Sequence, residues 1–361
     1  MRKLRGVGLA GIVALAGASL ASAQAIAIDQ TIKPYEKVSG VSGNLNAVGS
    51  DTLNNLMALW MDGFGKQYPN VKVQSEGKGS STAPPALIQG TAQLGPMSRE
   101  MKSNEIDEFE KKYNYKPTRI RVAIDALAVW VNKDNPLDRI TMPQIDAIFS
   151  KARNGGSASD IVKWGDLGLT GEWANKPISL FGRNSASGTY GYFKEHALYK
   201  GDFKDTVKEQ PGSGAVVQGV TEDRYAIGYS GIGYRTSGVK PLKVAAKAGG
   251  DYADVDPETV YAQKYPISRY LYIYINKAPN KPLDPLVREF MRFVLSRDGQ
   301  EIVVKDGYLP LKAKVDQEEL ATLGVAVEGS KSPSAKRRCL AAVSARARQL
   351  QVLPGASPMK P

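Results

Sequence analysis

Short apolar runs alternate with amphipathic segments along the chain from about residue 44. Apolar residues at i, i+3, i+4 and i+7 share one face of a helix, whereas a short continuous apolar run is typical of a buried strand. Strands are therefore predicted at residues 45–48, 71–76, 121–132, 177–182 and 270–276. Helices are predicted after the first two strands, at residues 141–149, from Tyr190, and at residues 285–295. This alternation favours an α/β protein with mostly parallel sheets, and residues 121–132 are rich enough in apolar residues for a buried parallel strand.

Length and composition are those of a globular protein with two domains. The chain has 361 residues, of which 42% are hydrophobic and 23% charged. The formal net charge of +12 is concentrated at the ends, because residues 1–23 carry +3 and residues 330–361 carry +7. The remaining body is nearly neutral, which is weak support for a nucleic-acid-binding surface, so no nucleic-acid partner is expected.

The first 23 residues are predicted to be a signal peptide. A basic start (MRKLR) is followed by an apolar run and by the small residues Ala21-Ser22-Ala23, which indicates cleavage near Ala23. The apolar run is shorter than the ~20 residues that cross a membrane. No cysteine follows it to carry a lipid, so we expect a soluble protein exported to the periplasm.

The C-terminal end differs in composition from the rest. Residues 330–361 are rich in Ser, Ala, Arg and Pro and contain no acid, so they are predicted to be a disordered tail. The only cysteine, Cys339, lies in this segment and has no second cysteine with which to form an internal disulfide.

Three predicted strands are each followed by a Gly/Ser/Thr segment that opens a helix, at residues 49–52, 77–82 and 185–189. A helix start offers free backbone N–H groups and a partial positive charge, hydroxyls add donors, and glycine permits close approach. A single segment of this kind is most often only a capped helix. Three of them, with Arg183 before the third, predict a site for a dehydrated tetrahedral oxyanion.

Two further positions add candidate contacts. Ser98 and Arg99 form a fourth hydroxyl-bearing segment with its own cation, although Ser98 could equally cap a helix. Asp125 interrupts an apolar strand, and a buried carboxylate there needs a partner, for which Arg183 and Arg99 are candidates. A hydrogen bond at the strand end is the alternative interpretation of Asp125.

Taken together, these segments resemble the periplasmic phosphate-binding proteins of high-affinity phosphate ABC transporters. The resemblance rests on V-G-S-D-T-L (48–53), G-K-G-S-S-T-A-P-P (77–85), G-P-M-S-R (95–99), V-A-I-D-A-L-A-V (122–129), G-R-N-S-A-S-G-T (182–189) and Y-P-I-S-R-Y-L-Y-I-Y (265–274). It implies the type II periplasmic-binding-protein fold, with two α/β lobes joined by two strands that cross near residues 125–132 and 270–276. Lobe 1 is predicted to combine residues 24–126 and 270–325, and lobe 2 to comprise residues 127–269.

The resemblance also implies the ligand contacts. These are Thr52 and Leu53 at the first helix start, Ser80 in the second segment, and Arg183, Ser187, Gly188 and Thr189 in the third. Ser50 and Ser81 are further candidates in the same segments.

This chain departs from the family pattern at two positions. Family members have an Asp after the serine of the G-P-M-S-R segment, where this chain has Arg99, and an acid where it has Ser185. The family Asp accepts the proton of phosphate. Another carboxylate must therefore do so here, and Asp51 is our first candidate and Asp125 our second.

The resemblance implies a protein that binds inorganic phosphate and passes it to an inner-membrane ABC permease, as a monomer and without a cofactor or metal. Sulfate, molybdate or tungstate is the alternative ligand, since a fully deprotonated anion needs donors only. A carboxylate in the site would distinguish phosphate from these anions.

An enzyme is the alternative from another class. The only histidine, His196, follows Ser187 by nine residues on a predicted helix, about 13.5 Å along its axis, so it cannot activate that serine. A Ser–Lys hydrolase using Lys78 and Ser81 is conceivable, but the chain has no Walker loop, G-x-S-x-G or Cys/His metal spacing. An adhesin is a third alternative, suggested only by the 17 tyrosines.

Overall fold

The computed structural model describes residues 26–325. The predicted signal peptide and the predicted C-terminal tail lie outside the described residues. The strands are β1 (Gly43–Val48), β2 (Val71–Glu76), β3 (Leu94–Met97), β4 (Thr118–Asn132), β5 (Arg139–Thr141), β6 (Ser179–Arg183), β7 (Lys208–Gln210), β8 (Ala226–Gly231), β9 (Val239–Pro241), β10 (Lys243–Ala245) and β11 (Ser268–Ile275). The helices are α1 (Asn54–Gln67), α2 (Ala83–Gln89), α3 (Ser103–Tyr113), α4 (Met142–Phe149), α5 (Gly188–His196), α6 (Ser213–Glu222), α7 (Pro257–Tyr261), α8 (Pro285–Leu295), α9 (Arg297–Lys305) and α10 (Ala313–Leu323).

Most strands lie in one sheet with the order β2-β1-β3-β11-β4-β8-β6-β7, and β9 also pairs with β4. The pairs formed by β1 and by β6 are parallel, as predicted, and so is the separate β5–β10 pair. The prediction of a parallel strand at residues 121–132 is wrong, because β4 runs antiparallel to β11, β8 and β9. A strand buried on both faces gives a continuous apolar run whatever the direction of its neighbours.

Two lobes share the long strand β4. Its residues 118–126 pair with β11, and its residues 127–132 pair with β8 and β9. The second crossing lies at the first residues of β11 rather than at residues 270–276, because Ser268 already pairs with Ala126. The strand YLYIYI is apolar along its whole length, so its sequence does not mark the residue at which it enters the sheet.

Each lobe has its own apolar core. In the first lobe α1 buries Trp60 and Phe64, and Phe64 contacts Phe290 of α8 edge to face with the ring centroids 5.3 Å apart. In the second lobe Phe193 of α5 stacks on Tyr229 of β8 at 3.8 Å between centroids. These contacts fix the helices that begin beside the cleft between the lobes.

The polar segments that follow β1, β2 and β6 open helices, as predicted. Short 3₁₀ turns at Asp51–Leu53 and Ser80–Thr82 lead into α1 and α2. Ser187 caps α5, which begins at Gly188, two residues before the predicted start. Within residues 26–325, no helix is both long and apolar enough to cross a membrane.

Candidate functional site

The helix starts of the two lobes meet at Gly188. A Cβ at this position would lie 2.2 Å from the Ser80 Oγ and 2.6 Å from the Ser98 Oγ, so only glycine fits here. Gly79 is placed similarly, since its Cβ would lie 2.5 Å from the carbonyl oxygen of Ala186. Both approaches join a lobe 1 segment to the start of α5 in lobe 2.

Five buried hydroxyls near these helix starts form two hydrogen-bonded groups, one of three serines and one of two threonines. The Ser50 Oγ donates to the Ser98 Oγ at 2.9 Å, and the Ser80 and Ser98 hydroxyls are 3.2 Å apart. Thr52 and Thr189 face each other across the cleft with 2.8 Å between their Oγ1 atoms. Hydroxyls from both lobes therefore lie close together here, and their contact with a ligand stays a prediction.

Arg183 lies at the end of β6 with 1% of its surface exposed. Its Nη1 donates to the Ser213 Oγ at 2.7 Å and lies 3.1 Å from Asp51 Oδ2, and its Nη2 donates to the carbonyl oxygen of Pro211 at 3.1 Å. Burial lowers the pKa of the guanidinium, although the Asp51 carboxylate opposes this effect. Its Nε is buried and has no hydrogen-bond partner among the described residues.

Asp51 reaches across the cleft from the first helix start. Its Oδ2 accepts the backbone N–H of Ser213, at the start of α6, at 2.8 Å, and its carbonyl oxygen accepts the Tyr234 hydroxyl at 2.7 Å. The side chain is 18% exposed, and within the described chain no hydrogen bond reaches its Oδ1. One carboxylate oxygen of Asp51 therefore remains for a ligand.

Asp125 is completely buried, and both of its oxygens are occupied. Its Oδ2 accepts Arg269 Nε at 3.0 Å and Arg269 Nη2 at 2.7 Å, while its Oδ1 accepts the backbone N–H of Ile232 at 3.1 Å. The expected partners Arg183 and Arg99 were wrong. Arg269 takes this place because it stands directly opposite Asp125 in the β4–β11 pair.

Arg99 lies beside the site but its guanidinium is not part of the hydroxyl cluster. Its Nη1 and Nη2 bind the two carboxylate oxygens of Glu105 at 2.8 and 2.7 Å. Glu105 also accepts the backbone N–H of Lys102 at the start of α3, so it is fixed close to Arg99. Arg99 thus binds Glu105 in this structure, and its predicted contact with an anion stays a prediction.

The remaining predicted residues have more local roles. Both the backbone N–H and the hydroxyl of Ser81 donate to the carbonyl oxygen of Ala186, at 3.1 and 2.9 Å, which joins the lobes. The Ser187 Oγ accepts the backbone N–H groups of Thr189 and Tyr190 as a helix cap. Leu53 is buried in the lobe 1 core, so only its backbone can serve a ligand.

Sequence reasoning missed Arg269, Ser213 and Tyr234. Arg269 was inside a quoted segment, Y-P-I-S-R, but nothing in the sequence shows that it stands opposite Asp125. Ser213 follows a Pro-Gly pair, and nothing in the sequence places it across from Asp51.

Comparison with known proteins agrees with this geometry. A model of the PBP superfamily domain matches residues 34–298. The phosphate-binding protein PstS of Pseudomonas aeruginosa is 58% identical over 310 residues, which cover 86% of this chain and 96% of the relative.

The chain belongs to the PstS family of phosphate-binding proteins.

More distant members and structures agree with this assignment. The phosphate-binding protein PstS of Staphylococcus saprophyticus is 28% identical over 72% of this chain and 77% of its own. The crystal structure of an ABC-type phosphate transport receptor from Vibrio cholerae has a TM-score of 0.58 at 22% identity, covering 74% of this chain and all of that one, which shows the shared fold. The PstS relatives are phosphate-binding proteins, and members of this family are not enzymes.

Proposed function

We propose that this protein binds one inorganic phosphate ion, without its water, between the two lobes. The observation that carries the proposal is the buried Arg183, whose Nε has no hydrogen-bond partner within the described residues and whose Nη1 contacts Ser213 of lobe 2 and Asp51 of lobe 1. Buried N–H groups are almost always hydrogen-bonded, and a guanidinium fits a tetrahedral oxyanion well. The hydroxyls of Thr52, Ser80, Ser98 and Thr189 supply further donors, together with the backbone N–H groups of the helix starts at Leu53 and Gly188.

Asp51 is the proposed acceptor for the proton that phosphate retains near neutral pH. Its Oδ2 is occupied by the backbone N–H of Ser213 and lies close to Arg183, which keeps the carboxylate in place, and its Oδ1 is left for the ligand. Asp125 is less suitable, because Arg269 and the Ile232 N–H already occupy both of its oxygens. Sulfate has no proton to donate and would be repelled by the free Asp51 oxygen.

The family and the sequence support a proposal for the compartment, the oligomeric state and the membrane partner of the protein. We propose that the signal peptide is removed near Ala23 and that the mature protein works in the periplasm as a monomer. The two lobes close on phosphate and then release it to the membrane permease of a phosphate ABC transporter. The identity of the PstS relative supports this assignment, because the aligned region covers nearly all of that protein.

Calorimetry tests the proposal directly. The mature protein, stripped of bound ligand, is titrated with phosphate, arsenate, sulfate and molybdate. We expect phosphate and arsenate to bind and millimolar sulfate and molybdate to give no heat of binding. Sulfate binding equal to that of phosphate would refute the specificity, and no response to any of the four anions would refute the site itself.

A further inference from the structure

Arg269 connects the charged and the hydroxyl-bearing parts of the site. It is 6% exposed and makes two hydrogen bonds to Asp125. Its Nη1 donates to the carbonyl oxygen of Ser98 at 2.6 Å, and its Nη2 also donates to the Thr189 Oγ1 at 2.8 Å. One guanidinium thus holds the end of β3 in lobe 1 and the start of α5 in lobe 2.

The contact to Thr189 fixes the direction of its hydroxyl. A threonine hydroxyl has one hydrogen and two lone pairs, whereas a guanidinium can only donate. Because the Thr189 Oγ1 accepts from Arg269, its own hydrogen must point to another acceptor. The other hydroxyl next to the Thr189 Oγ1 is the Thr52 Oγ1, which lies 2.8 Å away in the region proposed for phosphate. A hydroxyl that accepts from a cation is also a stronger donor, because hydrogen bonds in a chain polarise one another.

Two other hydroxyl oxygens of the site also accept a hydrogen bond from a group that can only donate, in these cases a backbone N–H. The Ser80 Oγ accepts the backbone N–H of Ser98 at 3.0 Å, and the Ser187 Oγ accepts those of Thr189 and Tyr190 at 3.1 and 3.3 Å. An N–H cannot reverse its role, so these hydroxyls keep their hydrogens for other partners. Within the described residues, no backbone N–H donates to the Thr189 Oγ1. Arg269 is the donor to that oxygen instead.

We propose that Arg269 is a positioning residue for the bound anion, which makes the Thr189 hydroxyl an obligatory donor to phosphate. Asp125 keeps the guanidinium in place and balances its charge. This inference rests on the proposed function, because it takes phosphate as the ligand. The alternative is that Arg269 only neutralises Asp125, in which case it would affect all the hydroxyls of the site alike.

A double-mutant cycle separates these two roles. All variants carry Asp125→Asn, so that no buried carboxylate is left unpaired. Arg269→Met removes the donors and Thr189→Val removes the hydroxyl at nearly constant shape, and each is expected to weaken phosphate binding about tenfold. The variant that carries both substitutions is expected to lose only about tenfold in total rather than about a hundredfold, because both substitutions remove the same interaction.

Ser80→Ala is the matched control in the same background. Its hydroxyl is held by a backbone N–H rather than by Arg269, so its loss and that of Arg269→Met are expected to multiply to about a hundredfold. If the Thr189 and Arg269 losses multiply in the same way, the positioning role is overturned. Phosphate binding by the wild-type protein is measured first. If the wild type binds no phosphate, the proposed function is wrong, and this result is separate from the test of Arg269.

Thermal melting shows whether the variants fold. Should Asp125→Asn with Arg269→Met lack a cooperative transition, the same cycle is measured with Arg269→Lys and Asp125 intact. An ammonium keeps the charge beside Asp125 but does not reproduce the planar fork that also reaches Thr189. Non-additive losses with Thr189→Val again support the proposal, and losses that multiply again overturn it.

Discussion

Four charged side chains meet at the proposed phosphate site, and their formal charges cancel. Arg183 and Arg269 are opposed by Asp51 and Asp125, in contacts of 2.7 to 3.1 Å. These four side chains therefore offer a dehydrated anion no net positive charge. Binding of the anion must therefore be stabilised by directed N–H and O–H groups. The loss of a single well-aligned donor is expected to weaken binding strongly.

Arg183→Ala tests the donor with the most direct role. Removing the guanidinium leaves the anion short of charge compensation, which costs ~2–5 kcal/mol, or roughly 30-fold to several-thousand-fold in affinity. Arg183→Lys is expected to recover only part, because an ammonium cannot replace the fork that holds Ser213 and Asp51. Calorimetry with phosphate measures both variants.

Arg99→Gln is the matched control for this prediction. Arg99 also lies at the cleft, but its guanidinium is bound to Glu105, so its replacement is expected to change stability and leave phosphate affinity within about threefold. Normal phosphate binding by Arg183→Ala would show that the site is misplaced.

Asp51→Asn tests the origin of selectivity. An amide can donate as well as accept, so the variant is expected to bind phosphate more weakly and to admit sulfate, which the wild type rejects by about 10⁴-fold or more. Competition by sulfate against phosphate is measured for the wild type, for this variant and for Asp125→Asn. Full selectivity in Asp51→Asn together with lost selectivity in Asp125→Asn would assign the acceptor to Asp125.

At the scale of elements, the helix starts are the part of the site that sequence predicts best. Ser187 and Thr141 cap helices and Gly90 ends one in the left-handed conformation. These features depend on contacts within one turn of helix, and the residue types alone report them.

Pairs between distant strands are what the sequence could not supply. Asp125 and Arg269 are 144 residues apart, and their contact depends on the register of β4 against β11. A shift of one residue in either strand would put the two side chains on opposite faces of the sheet. Arg183 and Arg99 were therefore expected at Asp125, and the true partner appeared only when the strands were paired.

Gly188→Ala tests the close approach of α5 to lobe 1. The added Cβ would lie 2.2 Å from the Ser80 Oγ and 2.6 Å from the Ser98 Oγ, closer than non-bonded atoms can approach. Phosphate affinity is expected to fall at least about tenfold, since α5 must move away from the site. In Gly191→Ala of the same helix, the Cβ would meet only Arg99 Cδ at 3.4 Å, so this control is expected to retain phosphate affinity and to melt at a higher temperature. Equal affinities in the two variants would contradict the packing described here.

The first turn of α10 contains a buried carboxyl that should make stability depend on pH. Burial, with a smaller contribution from Glu319, raises the pKa of Asp316 from 3.8 to about 7. The folded state then holds this proton more tightly than the unfolded state, so stability falls as pH rises from about 4 to about 7. Asp316→Asn is expected to be more stable than the wild type by about 1–3 kcal/mol at pH 8, with the difference shrinking towards pH 4. Urea unfolding at both pH values measures it, and a difference independent of pH would exclude this titration.

At the scale of the whole molecule, the two lobes hold each other through the same residues that surround the proposed ligand. Asp51 binds Ser213, Thr52 meets Thr189, and Ser81 reaches the carbonyl oxygen of Ala186. A ligand that contacts residues of both lobes favours the arrangement in which these residues are close, because only that arrangement provides all of its contacts. Binding and closure are therefore expected to be one coupled equilibrium.

Solution X-ray scattering tests this coupling. We expect the radius of gyration of the ligand-free mature protein to decrease when phosphate is added to saturation, because the hinge at β4 and β11 then spends more time closed. Sulfate at the same ionic strength controls for salt, and Arg183→Ala controls for binding, and neither is expected to show the decrease. A scattering curve that stays the same although calorimetry shows phosphate bound would mean that the lobes are closed before the ion arrives. The contacts from Asp51 to Ser213 and from Tyr234 to Asp51 would then hold the lobes together without the ion, and phosphate would enter through local movement of the loops.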